Sequence, residues 1–243
     1  MNWFKNLFDK KETVESHPRR CLVCVHGFGV NRSHEMDELK AYCSTFNMEC
    51  IAFDMFDCSD ETDNDWKMWV KRAEEVMIRT QLDYDELYLL GFSMGGVIAS
   101  YLATRFKVER LILISPAFNH FHLENYTSIV IKGATDLINR NEPSEEETKK
   151  SLPKTFYASF LDCVKQLKNS ISQVQCPVLI LQGDADEIIP CKSSEWAFDQ
   201  IPHDKKRCIF LHGGYHRVLQ DPSVNQEAFI LIQAFIEKRI LAS

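Results

Sequence analysis

The sequence predicts an α/β protein built on a doubly wound, mostly parallel sheet, and three observations carry that expectation. Six short runs rich in Ile, Leu and Val lie along the chain without polar alternation, as strands covered on both faces require. Helical patterns separate most of them, which is the rhythm of strand–helix–strand units. The length of 243 residues suits one large α/β domain.

The elements follow in order. The first strand is expected over 21–26 (CLVCVH), with a helix over 33–45, and the second over 50–54 (CIAFD), with a helix over 66–80. The third, 87–92 (LYLLGF), runs directly into a helix over 94–106, and the fourth is 111–115 (LILIS). The rhythm then breaks, because 118–175 is longer than one connecting helix needs. That segment holds Pro143 ahead of the acidic Glu145, Glu146 and Glu147, a helix-start signal. It also holds Phe156, Phe160, Val164 and Leu167 at helical spacing. An inserted helical cap over 118–175 is expected, leaving 1–117 and 176–243 as the core. A strand at 178–182 (VLILQ), a helix over 193–201, a strand at 208–212 (CIFLH) and a helix over 223–239 complete it.

Composition narrows the function. Apolar residues make up 45% and charged residues 26%, and the net charge is −7. A sizeable core follows, and an acidic chain lacks the basic surface that non-specific nucleic-acid binding needs. The nine cysteines are odd in number, scattered and often inside apolar runs, the usage of reduced thiols in a cytoplasmic protein. Cys21 and Cys24 have a C-x-x-C spacing, but in a strand they point to opposite faces, so no metal site is expected there. No signal-peptide core opens the chain and no run approaches about 18 apolar residues, so a soluble, unexported protein is expected. Trp3, Phe4, Leu7 and Phe8 share one helical face near Lys5, Lys10 and Lys11. Weak contact with a membrane surface or self-association are both conceivable there, and the shortness of the segment favours packing on its own core or a partner subunit.

Ligands in open parallel sheets bind beyond the carboxyl ends of the strands, and the chemistry-bearing residues cluster there. Gly91-Phe92-Ser93-Met94-Gly95 fits G-x-S-x-G between a buried strand and a helix, the context of a nucleophile elbow. Small residues at Gly91 and Gly95 let the two backbones approach, and the bend projects the hydroxyl outward. A serine nucleophile needs a base, and the base needs an orienting acid. His216 lies in the loop after the last strand, where it can reach over the sheet; His212, its rival, closes the strand and suits local bonding. For the acid, Asp184 and Asp186 in GDADE after the fifth strand both qualify by local pattern, with Glu187 able to face solvent. Val25-His26-Gly27-Phe28-Gly29 follows the first strand, and its glycines let the Phe28 N–H point into the site beside that of Met94, two donors for an oxyanion.

Together HGFG, GFSMGG, GDADEIIP and GGYHRVL, in this order, resemble the α/β-hydrolase superfamily, and within it the small bacterial carboxylesterases and monoacylglycerol lipases. The likeness spans residues 20 to 240, including a cap between the sixth and seventh strands of the family's usual count. It implies an α/β-hydrolase fold, a catalytic set of Ser93, Asp186 and His216, and an oxyanion hole at Phe28 and Met94. The acid is assigned to Asp186 by this resemblance. Cleavage of short- to medium-chain carboxylic esters or monoacylglycerols through an acyl-enzyme is the implied activity, with a small-molecule ester as partner and no metal or organic cofactor. Phe118, Phe121, Phe156 and Phe160 are candidates to line an apolar acyl pocket. The same set could serve a thioester, peptide or carbon–carbon substrate, and a non-catalytic binding protein of the same fold is the alternative from another class. Dehalogenase and epoxide-hydrolase chemistry would need an acidic nucleophile where Ser93 stands.

The sequence departs from those relatives in two places. The loop after Asp54, MFDCSDETDNDW, replaces a glycine-rich one and brings Asp57, Asp60, Glu61, Asp63 and Asp65 near the strand ends. Its spacing suits a solvated, helix-capping loop better than a calcium loop. Few residues precede the first strand, which leaves little room for antiparallel strands.

Overall fold

The computed structural model describes residues 18–29, 32–119 and 154–241. The N-terminal aromatic segment, the helix start at Pro143 and Phe121 lie outside the described residues. Six parallel strands form one sheet: β1 (Arg20–Val25), β2 (Glu49–Ala52), β3 (Glu86–Phe92), β4 (Arg110–Ile114), β5 (Val178–Gly183) and β6 (Lys206–Leu211), in the order β2-β1-β3-β4-β5-β6. Registers run without a break in the centre, Val23 lying opposite Leu89 and Leu89 opposite Leu111. Every strand lies within two residues of its expected position.

The helices are α1 (Asp37–Cys43), α2 (Trp66–Asp83), α3 (Met94–Arg105), α4 (Lys154–Leu167), α5 (Lys192–Gln200) and α6 (Asn225–Ile236). Alternate strand residues sort onto two faces, since successive Cβ atoms point oppositely. Cys21, Val23, Leu89, Leu111 and Ile180 pack under α2, α3, α4 and α5, while Leu22, Cys24, Leu90, Ile112 and Leu181 pack under α1 and α6. Cys21 and Cys24 therefore sit on opposite sides of the sheet, and all nine cysteines are free.

The structure corrects the expectation that all six runs are covered on both faces. On β6, Arg207 and Phe210 are exposed and only Leu211 is buried; on β2, Glu49 is exposed. Both are edge strands, and a sheet edge is where charged side chains blunt pairing with another chain. The helix expected over 33–45 is divided: a 3-10 turn (Arg32–Met36) precedes α1, and another (Ser44–Phe46) follows it and ends at Asn47 with φ 56°.

Helix α4, from the expected cap, packs on the core. Phe156, Phe160, Cys163 and Val164 join the cluster that holds α2 and α3 against the sheet. Trp66 Nε1 also donates to Asp162 Oδ2 at 2.7 Å. The residues 120–153 of that expectation lie outside the described residues.

Candidate active site

The strand order turns back on itself at β1, which lies between β2 and β3. Loops leaving the carboxyl ends of β1 and β3 diverge to opposite faces there, which opens a crevice. HGFG leaves β1 at that point, and the serine turn leaves β3.

Ser93 joins β3 to α3 with φ 53° and ψ −118°. A non-glycine residue there is strained by about 1 to 3 kcal/mol, and the surroundings hold it. Its N–H donates to Ile114 O at 2.9 Å, and its carbonyl accepts from Gly96 and Ala117. A Cβ on Gly91 would lie 2.3 Å from Gly95 O, and one on Gly95 would lie 2.1 Å from Val25 O. Backbone fills the space on both sides of the bend, so larger residues there would force the strand and helix apart.

Three side chains from different strand ends converge. The Ser93 hydroxyl lies 3.2 Å from His216 Nε2, and His216 Nδ1 lies 2.9 Å from Asp186 Oδ2. Asp186 also accepts from the Ile188 and Ile189 amides at 2.9 and 2.8 Å and from Gln182 Nε2 at 3.1 Å. Facing a carboxylate oxygen, Nδ1 is the ring nitrogen that donates, which leaves Nε2 to accept from Ser93. Ser93 and His216 are only 1% and 3% exposed, so the hydrogen bonds act in a nearly dry site, where they are strongest.

The backbone around His216 is fixed as well. Its N–H donates to Glu187 Oε2 at 3.1 Å, and its carbonyl accepts from Ser115 Oγ at 3.0 Å. Glu187 is exposed, as the sequence allowed, yet it is bonded to the site. At the end of β5 the backbone meets the loop after β6 directly, since a Cβ on Gly183 would lie 2.0 Å from Gly214 O. His212 and Asp184 form their own pair at 2.9 Å, and Asp184 also accepts from Gly213 N at 2.7 Å. That is the local bonding expected of His212.

HGFG lies directly over the serine. A Cβ on Gly27 would stand 3.2 Å from Ser93 Cβ and 2.9 Å from the Phe92 ring. His26 is fully buried. Its Nδ1–H donates to Gly27 O at 2.7 Å, and its Nε2 accepts from Met55 N at 2.9 Å. That bonding suits a neutral ring, and burial lowers its pKa to about 4. Glu35 Oε2 accepts from Gly27 N at 3.0 Å. Burial pushes this carboxyl above its ordinary value, opposed by the Arg217 charge and the Gly27 hydrogen bond. His26 and Glu35 were missed as site residues. A polar ring closing an apolar strand, and an acid in line with buried Leu39 and Cys43, were the signals that could have found them.

The candidate pocket residues divide. Phe160 stacks on Phe28 with ring centroids 5.0 Å apart, and Phe156 packs on Trp69 and Phe56. Both have 0% exposure, so in this arrangement they are core residues behind Phe28, whose ring also meets Tyr157 with centroids 5.1 Å apart. Phe118 is buried against Trp196, its amide bonded to Ser193 Oγ at 3.0 Å.

The acidic loop spends its carboxylates on its own backbone. Asp57 accepts from Ser59, Asp60 from Thr62, and Asp65 caps α2 through Lys67 N. Arg72 pairs with Asp63 at 2.8 Å and Arg32 with Asp54 at 3.2 Å, across a cleft of about 500 Å3. Among the described residues, no group of three or more His, Cys, Asp or Glu could hold a metal ion, and no helix is long and apolar enough to cross a membrane.

A parallel sheet with a serine turn after a central strand and an Asp–His pair from the loops after the last two strands defines the α/β-hydrolase class. Residues 21–153 match the family described as alpha/beta hydrolase fold, more than half of the chain, and the chain belongs to that family. Residues 139–223 match the family described as serine aminopeptidase, S33. The monoglyceride lipase of Rattus norvegicus is 25% identical over 257 residues, 92% of this chain and 84% of that one. The thermostable monoacylglycerol lipase of Bacillus sp. (strain H-257) is 24% identical over 215 residues, 80% of this chain and 82% of that one. Among solved structures, a soluble variant of monoglyceride lipase from Saccharomyces cerevisiae superposes with TM-score 0.69 at 18% identity, covering 93% of this chain and 88% of that one. The monoacylglycerol lipase of Paleococcus ferrophilus gives TM-score 0.65 at 18% identity, covering 89% and 93%. These superpositions speak to the fold.

Proposed function

We propose that the protein is a serine hydrolase of carboxylic esters, acting on monoacylglycerols or other short- to medium-chain acyl esters through an acyl-enzyme. The observation that carries this reading is the continuous line from Ser93 Oγ through His216 to Asp186, at 3.2 and 2.9 Å. Ser93 attacks the ester carbonyl while His216 Nε2 takes its proton. The tetrahedral oxyanion is held by the Phe28 and Met94 N–H groups. Collapse expels the alcohol, which receives the proton from His216, and water then repeats the sequence on the acyl-enzyme. Asp186 keeps the imidazole in the required tautomer and supports its charge. Phe28, backed by Phe160 and Phe156, and Phe118 on the other side, form the apolar walls for the acyl chain. The cap over 118–175 forms part of the substrate site in this reading. The relatives named as monoglyceride lipases support the ester class, and nine free cysteines support a cytoplasmic setting.

The test is an acyl series of p-nitrophenyl esters from acetyl to palmitoyl, with a monoacylglycerol, a thioester and an aminoacyl anilide as further arms. Hydrolysis of the esters and covalent labelling of Ser93 by a fluorophosphonate are expected. Turnover of the anilide in preference to every ester would move the reading to a peptidase, and a folded protein that neither labels nor turns over would remove it.

A further inference from the structure

The loop over Ser93 hinges on Gly27, a residue with little conformational preference of its own. Two peptide planes meet there, and a different side chain holds each. The Gly27–Phe28 plane is held by its carbonyl, which accepts from His26 Nδ1 at 2.7 Å. In a trans peptide the C=O and N–H point in opposite directions, so this bond aims the Phe28 N–H away from His26. The His26–Gly27 plane is held by its N–H, which donates to Glu35 Oε2 at 3.0 Å. Glu35 is 4% exposed, and it is not a spectator on a solvated helix. Its other carboxylate oxygen lies 3.9 Å from where a Cβ on Gly29 would stand, so the side chain spans the loop.

Glu35 also reaches the histidine side of the site. Gln220 Nε2 donates to its backbone carbonyl, and the Arg217 charge acts on its carboxyl. Burying a carboxylate is costly unless donors and cations face it. We infer that Glu35 is a positioning residue for the oxyanion donor, setting the Phe28 N–H through Gly27 and tying the loop to the segment that follows His216. This inference rests on the serine-hydrolase reading.

Replacing Glu35 should therefore act on the transition state and leave ground-state binding alone. With p-nitrophenyl butyrate, Glu35→Ala is expected to lower kcat by about 10- to 100-fold, somewhat less than removal of a donor itself, with KM within about threefold. An alkyl boronic acid, whose tetrahedral adduct on the serine mimics the intermediate, should bind more weakly by the same factor. Glu35→Gln keeps an oxygen that accepts from Gly27 N and should recover most of kcat. Should Glu35→Ala fail to fold, Glu35→Met, of similar length and unable to accept this bond, takes its place against Glu35→Gln. A folded Ala or Met variant with unchanged kcat, a loss expressed in KM alone, or a Gln variant no better than its apolar counterpart would each overturn the inference. An active wild type with unaffected variants rejects this inference alone, whereas a wild type that neither labels on Ser93 nor hydrolyses esters rejects the reading and the inference with it.

Discussion

The loops after β5 and β6 carry two aspartate–histidine pairs of equal length. Asp186–His216 and Asp184–His212 are each 2.9 Å apart, yet the first pair's side chains are 1% and 4% exposed and the second pair's 39% and 100%. The inner aspartate has four donors converging on it and the inner histidine has Ser93 on its far nitrogen. The outer aspartate caps a turn, and its histidine points into water. Separation alone does not distinguish them. What differs is whether the remaining lone pairs and protons are also bound, and whether water can compete for them.

The contrast can be broken most directly at the nucleophile that only the inner pair serves. Ser93→Ala should lower kcat/KM for an ester by about three orders of magnitude or more while leaving the melting temperature near wild type, read by initial rates and thermal unfolding. Asp186→Asn should cost a comparable factor, about 10³ to 10⁴, because the imidazole would be left in the wrong tautomer. The matching change Asp184→Asn should leave kcat/KM within about twofold. Equal losses at the two aspartates in steady-state assays would erase the distinction between the two pairs.

A third experiment concerns His26, a buried histidine with no aspartate partner. Its pKa falls to about 4 in the folded protein against an unfolded value near 6.5. The unfolded chain therefore binds the proton more readily between these values. Stability contributed by the neutral ring is complete above about pH 6.5 and is lost as pH falls toward 4, by up to about 3 kcal/mol. Urea unfolding at pH 7 and pH 4.5 should show a larger drop for wild type than for His26→Gln, and parallel drops would contradict the assignment. The smallest effect is expected at the outer pair, where His212→Ala should leave the ester rate within about twofold and the melting temperature within about one degree.

Much of the sheet was legible because buried parallel strands appear as unbroken apolar runs, and all six lie within two residues of their expected positions. The misjudged cover of β6 has a simple cause. CIFLH has the composition of a central strand, and only the pairing order puts it at an edge, where Arg207 and Phe210 meet solvent. At the site, Ser93 and His216 stood out because their local contexts are unusual. The choice between Asp184 and Asp186 did not, since both sit two residues apart in one loop and their partners arrive from a distant part of the chain. Glu35 and Glu187 were harder still. Their partners are backbone amides of other loops, and an amide leaves no mark in a sequence.

The contact between Gly183 and Gly214 has a consequence for heating. Because the two loops touch backbone to backbone, the separation of Asp186 and His216 is tied to the spacing of adjacent strands, about 4.8 Å. No side chain lies between the backbones at Gly183 and Gly214. Thermal inactivation should therefore coincide with melting of the sheet and not precede it, and a protein that still holds its β5–β6 pairing should regain full activity on cooling.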